Sequence, residues 1–120
     1  MRVGAVMLGA FAAATLATAA GAGAVEDAVA LVASQTPADG ERMVADALRA
    51  YGCSFDESTS DDFAAFATAQ AAREMGIDPE PAAVQEALVD FLGDGFDVLV
   101  EVERVSFGVG TGIVALKDCP

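Results

Sequence analysis

Residues 95–117 read GFDVLVEVERVSFGVGTGIVALK, and this stretch decides the fold class. Its first part, residues 96–103, alternates apolar side chains with mostly acidic ones, a period of two that is typical of a half-buried strand. Gly108, Gly110 and Gly112 then predict a flexible turn, and residues 113–117 predict a returning strand. Because the chain before this stretch is patterned for helices, the sequence predicts an α+β domain that ends in a β-hairpin.

Four helices are predicted before the hairpin, because apolar side chains recur there at helical spacing. A capping residue followed by proline begins the second helix at Thr36 and the fourth at Asp78. Glycines end the second, third and fourth helices. The predicted spans are 25–34, 37–51, 61–75 and 79–92, with a polar loop over 54–62 and glycine stops at Gly52, Gly76 and Gly93.

The first 24 residues have the three parts of a cleavable signal peptide. Arg2 supplies a positive start, residues 3–20 are uncharged, and small residues fill positions 17–24. Ala22 and Ala24 meet the need of signal peptidase for small side chains before the cut, which predicts cleavage after Ala24 or about two to five residues earlier. A retained anchor is the alternative, but the segment lacks the leucine density and basic flank of one. The prediction is therefore a signal peptide over residues 1–24 and a single domain over residues 25–120, with no membrane anchor after cleavage.

The charge of the chain is strongly negative. All 19 acidic residues and five of the six basic residues follow position 25, so the cleaved domain has a net charge of about −14. The layout of residues 61–117, two helices followed by a hairpin, resembles a winged helix. However, its second helix carries Glu80, Glu86 and Asp90 and no base, and phosphates would repel it. Nucleic acid and anionic lipid are therefore excluded as expected partners.

Cys53 and Cys119 are the only cysteines. In an oxidising compartment, an even pair predicts a disulfide. The bond would close a loop of 66 residues and hold a C-terminus that would otherwise fray. A redox role is the alternative, but it normally requires two thiols close in sequence at a helix N-terminus.

Two acidic segments suggest metal binding, although each has a simpler interpretation. Residues 90–101 match part of the EF-hand calcium spacing, but Leu92 stands at a ligand position, and the segment predicts a helix stop followed by a strand. The second segment surrounds a helix start, where carboxylates complement the helix dipole without any ligand. Its weak candidate ligands are Asp56, Glu57, Asp61 and Asp62.

Catalytic motifs are lacking in the sequence. The chain has no histidine, which excludes Ser-His and Cys-His pairs and an imidazole base. No cofactor motif is present, because the glycines of residues 108–112 lie between two strands and precede no helix. The sequence predicts no cofactor and favours a protein that is not an enzyme.

These observations predict a small acidic bacterial protein that is exported to the periplasm or secreted. By elimination, the expected function is a non-catalytic interaction or accessory module that binds another exported protein. The candidate surface is the hairpin tip, with Val105, Phe107 and Val109; the opposing interpretation is that Phe107 folds back onto the helices. An acidic divalent-cation-binding protein is the second hypothesis, and a small hydrolase is the third.

Overall fold

The computed structural model describes the backbone of residues 13–119 and the side chains of residues 23–119. Within this range the chain forms four α-helices and a small sheet. The elements are α1 (Ala13–Ala33), α2 (Pro37–Ala50), β1 (Ser54–Asp56), a 3-10 turn (Glu57–Thr59), α3 (Ser60–Met75), α4 (Ala82–Glu101), β2 (Val105–Phe107) and β3 (Ile113–Leu116). Residues 1–12 of the predicted signal peptide lie outside the described residues, and α1 begins earlier than the predicted residue 25.

The start of α2 and the end of α3 follow local signals in the sequence. The Thr36 hydroxyl accepts a hydrogen bond from the Asp39 backbone N–H at 3.2 Å, and the Asp39 carboxylate accepts one from the Thr36 N–H at 2.9 Å. This capping box satisfies backbone donors that the start of a helix leaves free. Gly76 ends α3 in the left-handed conformation at φ 71°, as its residue type predicts.

Helix α4 continues through the residues that alternate in sequence. Its buried residues are Val84, Leu88, Leu92, Gly95 and Leu99, a spacing of three or four that belongs to one face of a helix. The prediction of a helix stop at Gly93 and a strand over 96–103 is therefore wrong. Strand preference depends strongly on context, and here burial of the α4 face against the other helices outweighs the local alternation.

The crossing of α2 and α4 is close because two glycines meet there. The Cα of Gly95 would lie 3.3 Å from a Cβ added to Gly40, and a Cβ on Gly95 would collide with the carbonyl group of Gly40. Both glycines are buried. Gly95 thus serves helix packing, which explains a glycine in the interior of α4 where it is locally unfavourable.

The sheet is antiparallel, with strand order β1-β3-β2. The predicted hairpin is present as β2 and β3, although its first strand begins at Val105. The predicted loop over 54–62 contains the third strand, β1, which pairs Phe55 with Val114. Three residues carry too little local pattern to predict a strand, and only pairing with the distant β3 defines it.

The predicted disulfide joins Cys53 to Cys119, with 6.0 Å between their Cα atoms. Cys53 precedes β1 and Cys119 follows β3, so the bond connects the ends of two paired strands. The predicted fold class is confirmed: four helices, a C-terminal antiparallel hairpin and one disulfide. One core unites the helices with the inner face of the sheet. Its largest fully buried side chains are Leu48, Leu88, Leu99, Val44, Val84 and Val114.

Candidate functional site

A continuous row of aromatic rings runs from the end of α2 to the hairpin. Tyr51 meets Phe63 and Phe66 of α3, with ring centroids 5.3 and 5.1 Å apart. Phe63 stacks on Phe55 of β1 at 4.6 Å. Phe96 of α4 then connects Phe55 to Phe107, at 6.3 and 6.5 Å. These separations are those of favourable aromatic pairs, so the row links the end of α2 to β1, α3, α4 and β2.

The strand register decides which hairpin residues face the helices. Val105 lies opposite Leu116 and Phe107 lies opposite Val114, so Val105 and Phe107 share the inner face of the sheet. Val105 is 5% exposed and belongs to the core, which removes it from the predicted partner surface. Phe107 does turn back toward the helices and meets Phe96 edge-on, yet 48% of it remains exposed. Val109 is 98% exposed at the hairpin tip.

An open apolar groove lies between α3 and α4, beside this aromatic row. Its volume is about 270 Å³, and most of its surface is aliphatic or aromatic. We call it the α3–α4 groove. Its lining residues are Val44, Phe55, Ser60, Asp61, Phe63, Ala64, Ala67, Thr68, Val89, Leu92, Gly93 and Phe96.

Thr68 is the one polar side chain buried in this groove. It is 6% exposed, and its hydroxyl makes no hydrogen bond within the part of the chain that the structure describes. Buried hydroxyls are normally paired, because an unpaired one loses its bonds to water without replacement. A polar atom in an otherwise apolar pocket is the usual arrangement by which a site orients a ligand.

Gly93 and Val89 form the α4 edge of the groove. A Cβ added to Gly93 would meet no atom within 4 Å, so the glycine leaves space over the groove. Val89 and Val100 are exposed apolar side chains on the same side of α4 as Gly93 and Phe96, at helical spacing. The groove therefore continues into an exposed apolar strip along α4.

The charged residues that line the groove are acidic and not basic. Asp61 lies at the rim, and none of the lining residues is basic. Three arginines are instead engaged in an ion-pair network that joins α2, α3, the α4–β2 connection and the C-terminal segment. In it, Arg104 contacts Glu41 at 3.0 Å and Asp118 at 2.9 Å. The network comprises Glu41, Arg42, Asp46, Arg49, Glu74, Arg104 and Asp118.

The candidate metal ligands occupy β1, the 3-10 turn and the first turn of α3. The Asp56 carboxylate accepts hydrogen bonds from the backbone N–H and the hydroxyl of Ser58, which lower its pKa below the ordinary value. Asp61 and Asp62 occupy the first turn of α3 and Glu57 begins the 3-10 turn. Among the described residues, no three or more acidic or cysteine side chains are grouped to hold a metal ion. Residues 90–101, which partly match an EF-hand, lie within helix α4.

The sequence pattern gives Thr68 no distinct role and predicts a helix stop at Gly93 and a strand at Phe96. The signal for the groove was nevertheless present, because Val89, Gly93, Phe96 and Val100 follow helical spacing across the supposed stop. The burial of Thr68 had no local signal in the sequence, because a threonine within an alanine-rich helix can be buried or exposed to solvent.

No family model, curated protein or solved structure matches this chain. Within the described residues, none of the helices has the combination of length and apolar character that crossing a membrane requires.

Proposed function

We propose that this chain is exported and cleaved near Ala24, and that the mature domain is a non-catalytic accessory protein that binds a basic exported partner. The observation that carries the proposal is the apolar face formed by the α3–α4 groove and the half-exposed Phe107. This face is part of the surface of a domain whose net charge is strongly negative. An exposed apolar patch with a polar rim is typical of a protein–protein interaction site.

Export is supported by the leader and by the disulfide, which persists in oxidising compartments. The arrangement of α1 is compatible with cleavage, because Val25, Ala28, Val29 and Val32 contribute to the core and all follow Ala24. A domain that begins at Val25 keeps each of these contacts.

Export is tested by expressing the full chain in a bacterial host and measuring the intact mass in each cell fraction. We expect a periplasmic or extracellular species that begins at or shortly before Val25 and carries no free thiol. Full-length protein that remains in the cytoplasm with reduced cysteines would contradict the proposal.

The binding face is tested by photo-crosslinking in the native host, with benzoylphenylalanine placed at Phe107 or, as a matched control, at the neighbouring Ser106. The register places Ser106 on the outer face of the sheet, away from the helices. We expect one exported basic protein to be crosslinked from position 107 and not from position 106. Equal labelling from both positions, or none from either, would contradict binding through this face.

The hypothesis of a dedicated divalent-cation protein has no geometric support within the described residues, because no three of its candidate carboxylates are grouped to hold an ion. The groove does not support the small-hydrolase hypothesis either, because Asp61 is the only carboxylate among its lining residues.

A further inference from the structure

We propose that the α3–α4 groove receives a single tryptophan or tyrosine side chain from a basic partner segment, and that the Thr68 hydroxyl is its hydrogen-bond partner. This inference rests on the proposed function, because it identifies what the partner places in the groove. It depends on three properties of the groove: its size, its buried hydroxyl and its surrounding charge.

The size of the groove suits one large side chain. Its volume, about 270 Å³, lies below the roughly 300–1,000 Å³ of pockets that enclose drug-sized ligands. Interfaces between proteins, by contrast, concentrate binding energy in one or a few anchors that fill small pockets, and tryptophan and tyrosine are enriched among them. Phe55, Phe63 and Phe96 offer ring faces and edges with which another aromatic ring packs favourably.

The buried hydroxyl distinguishes tryptophan and tyrosine from the other apolar anchors. The Thr68 side chain is buried in the groove without a hydrogen bond among the described residues. A phenylalanine or leucine anchor would seal this hydroxyl away from water and leave it unpaired. The indole N–H and the tyrosine O–H can instead reach a hydroxyl, because both rings carry a polar group on an apolar body.

The negative charge around the groove favours a partner with basic residues on either side of the aromatic anchor. Asp61 lies at the rim, no base lines the groove, and the domain has a large excess of acidic residues. A second copy of this chain would therefore be repelled, whereas lysines and arginines beside the anchor would be attracted. The occupant is consequently a basic segment of another protein.

The absence of tryptophan from this chain makes the inference directly measurable. The probe is the synthetic peptide Lys-Lys-Gly-Trp-Gly-Lys-Lys, whose indole fluorescence is followed while the folded protein is added. We expect saturable binding with a blue shift of the emission. The same peptide with glutamate in place of lysine should not bind, and equal binding of both would overturn the basic partner.

Gly93→Leu tests whether the peptide enters the groove. The new side chain would occupy open space over the groove and replace a glycine by a better helix former, so the fold should be retained. We expect it to abolish the blue shift. Ser106→Leu, which adds the same side chain on the outer sheet face, should leave it unchanged. Unaltered binding by a folded Gly93→Leu variant would overturn the site.

Thr68→Val tests the hydrogen bond, because valine keeps the shape of threonine and removes the hydroxyl. We expect affinity for the tryptophan peptide to fall roughly three- to tenfold. Affinity for the phenylalanine analogue, measured by calorimetry, should be unchanged or slightly higher. An equal loss for both peptides would show that Thr68 has only a structural role and would overturn its assignment.

Two further outcomes are distinguishable. If N-acetyltryptophanamide binds as tightly as the peptide, the groove is a small-molecule site and the peptide anchor is wrong. If Phe107 crosslinks a basic partner but no aromatic peptide enters the groove, the anchor fails while the proposed function stands.

Discussion

Gly93 and Gly95 lie two positions apart on α4, yet a side chain would have open space at Gly93 and would collide with another helix at Gly95. Gly93 faces open space, whereas Gly95 contacts the backbone of Gly40 at the α2–α4 crossing. The same residue type therefore leaves room for a groove at one position and permits close helix packing at the other.

We expect Gly95→Ala to lower the free energy of unfolding by about 1–3 kcal/mol, because the added methyl must force the two helices apart. Gly93→Ala should raise it by up to about 1 kcal/mol, since alanine favours the helix and its methyl meets no atom. Urea denaturation of both variants provides the measurement. Equal effects of the two substitutions would contradict the observed helix crossing.

Asp118 links the C-terminal segment to Arg104 and Arg49. The hydrogen bond from Arg104, together with the positive charges of both arginines, lowers the pKa of the Asp118 carboxyl below its ordinary value. A carboxyl with a depressed pKa in the folded state stabilises the fold above its unfolded pKa of about 3.9, and this contribution is lost as the pH falls through the folded pKa.

Asp118→Asn should therefore lower the melting temperature slightly at neutral pH, and the difference from the parent should disappear well below about pH 4. Thermal unfolding followed by circular dichroism across this range measures both effects. Asp90→Asn on the exposed side of α4 is the control, because no ion pair among the described residues includes it. A difference that persists undiminished at low pH would contradict the role of the ion pair.

At the scale of elements, β1 and β3 illustrate how a short strand depends on distant contacts. β1 has only three residues, and its strand partner lies near the other end of the domain. The Cys53–Cys119 bond holds the ends of these two strands together covalently. It also restricts the conformations of the unfolded chain, and this restriction is the main way in which a disulfide stabilises a fold.

We expect replacement of both cysteines by serine to lower the free energy of unfolding by roughly 4 kcal/mol, the chain-entropy value for a loop of this length. Hydrogen exchange should show the amides of β1 and β3 losing protection first, ahead of those in the α2–α4 pair. Urea denaturation and amide exchange of the double variant are the measurements. A uniform loss of protection across the domain would contradict this order.

Helix α4 shows why an alternating pattern was misleading. Residues 96–103 alternate in sequence, but Leu99 is fully buried and Val100 is exposed, as one face of a helix requires. The burial spacing extends unbroken from Val84 to Leu99 because α4 packs along α1, α2 and α3. Packing over the whole element thus outweighed a local preference for strand.

At the scale of the whole molecule, the excess of negative charge should control association with a basic partner. Exposed charges attract at long range and are screened by salt, with a Debye length of about 10 Å at 0.1 M and about 3 Å at 1 M. The apolar anchor in the groove is not screened in this way.

We expect the affinity for the lysine-flanked tryptophan peptide to fall as salt is raised, mainly through a slower association rate. Asp61→Asn should lower the affinity at low salt and reduce its salt dependence, while Asp90→Asn, away from the groove lining, should do so less. Stopped-flow fluorescence measures the rates. An affinity independent of salt would contradict electrostatic selection of the partner.

The sequence by itself determined the features that depend on neighbouring residues or on composition. The helix start at Thr36, the glycine end of α3, the glycine-rich turn and returning strand β3 of the hairpin, and the pairing of two lone cysteines were all predictable, because each has a local or compositional signal. Tertiary structure alone decided the length of α4, the existence of β1, the burial of Val105 and the groove around Thr68. Each of these depends on which distant surface a segment packs against, and Gly95 shows the reason: its position in a helix is explained only by the backbone of Gly40 on another helix.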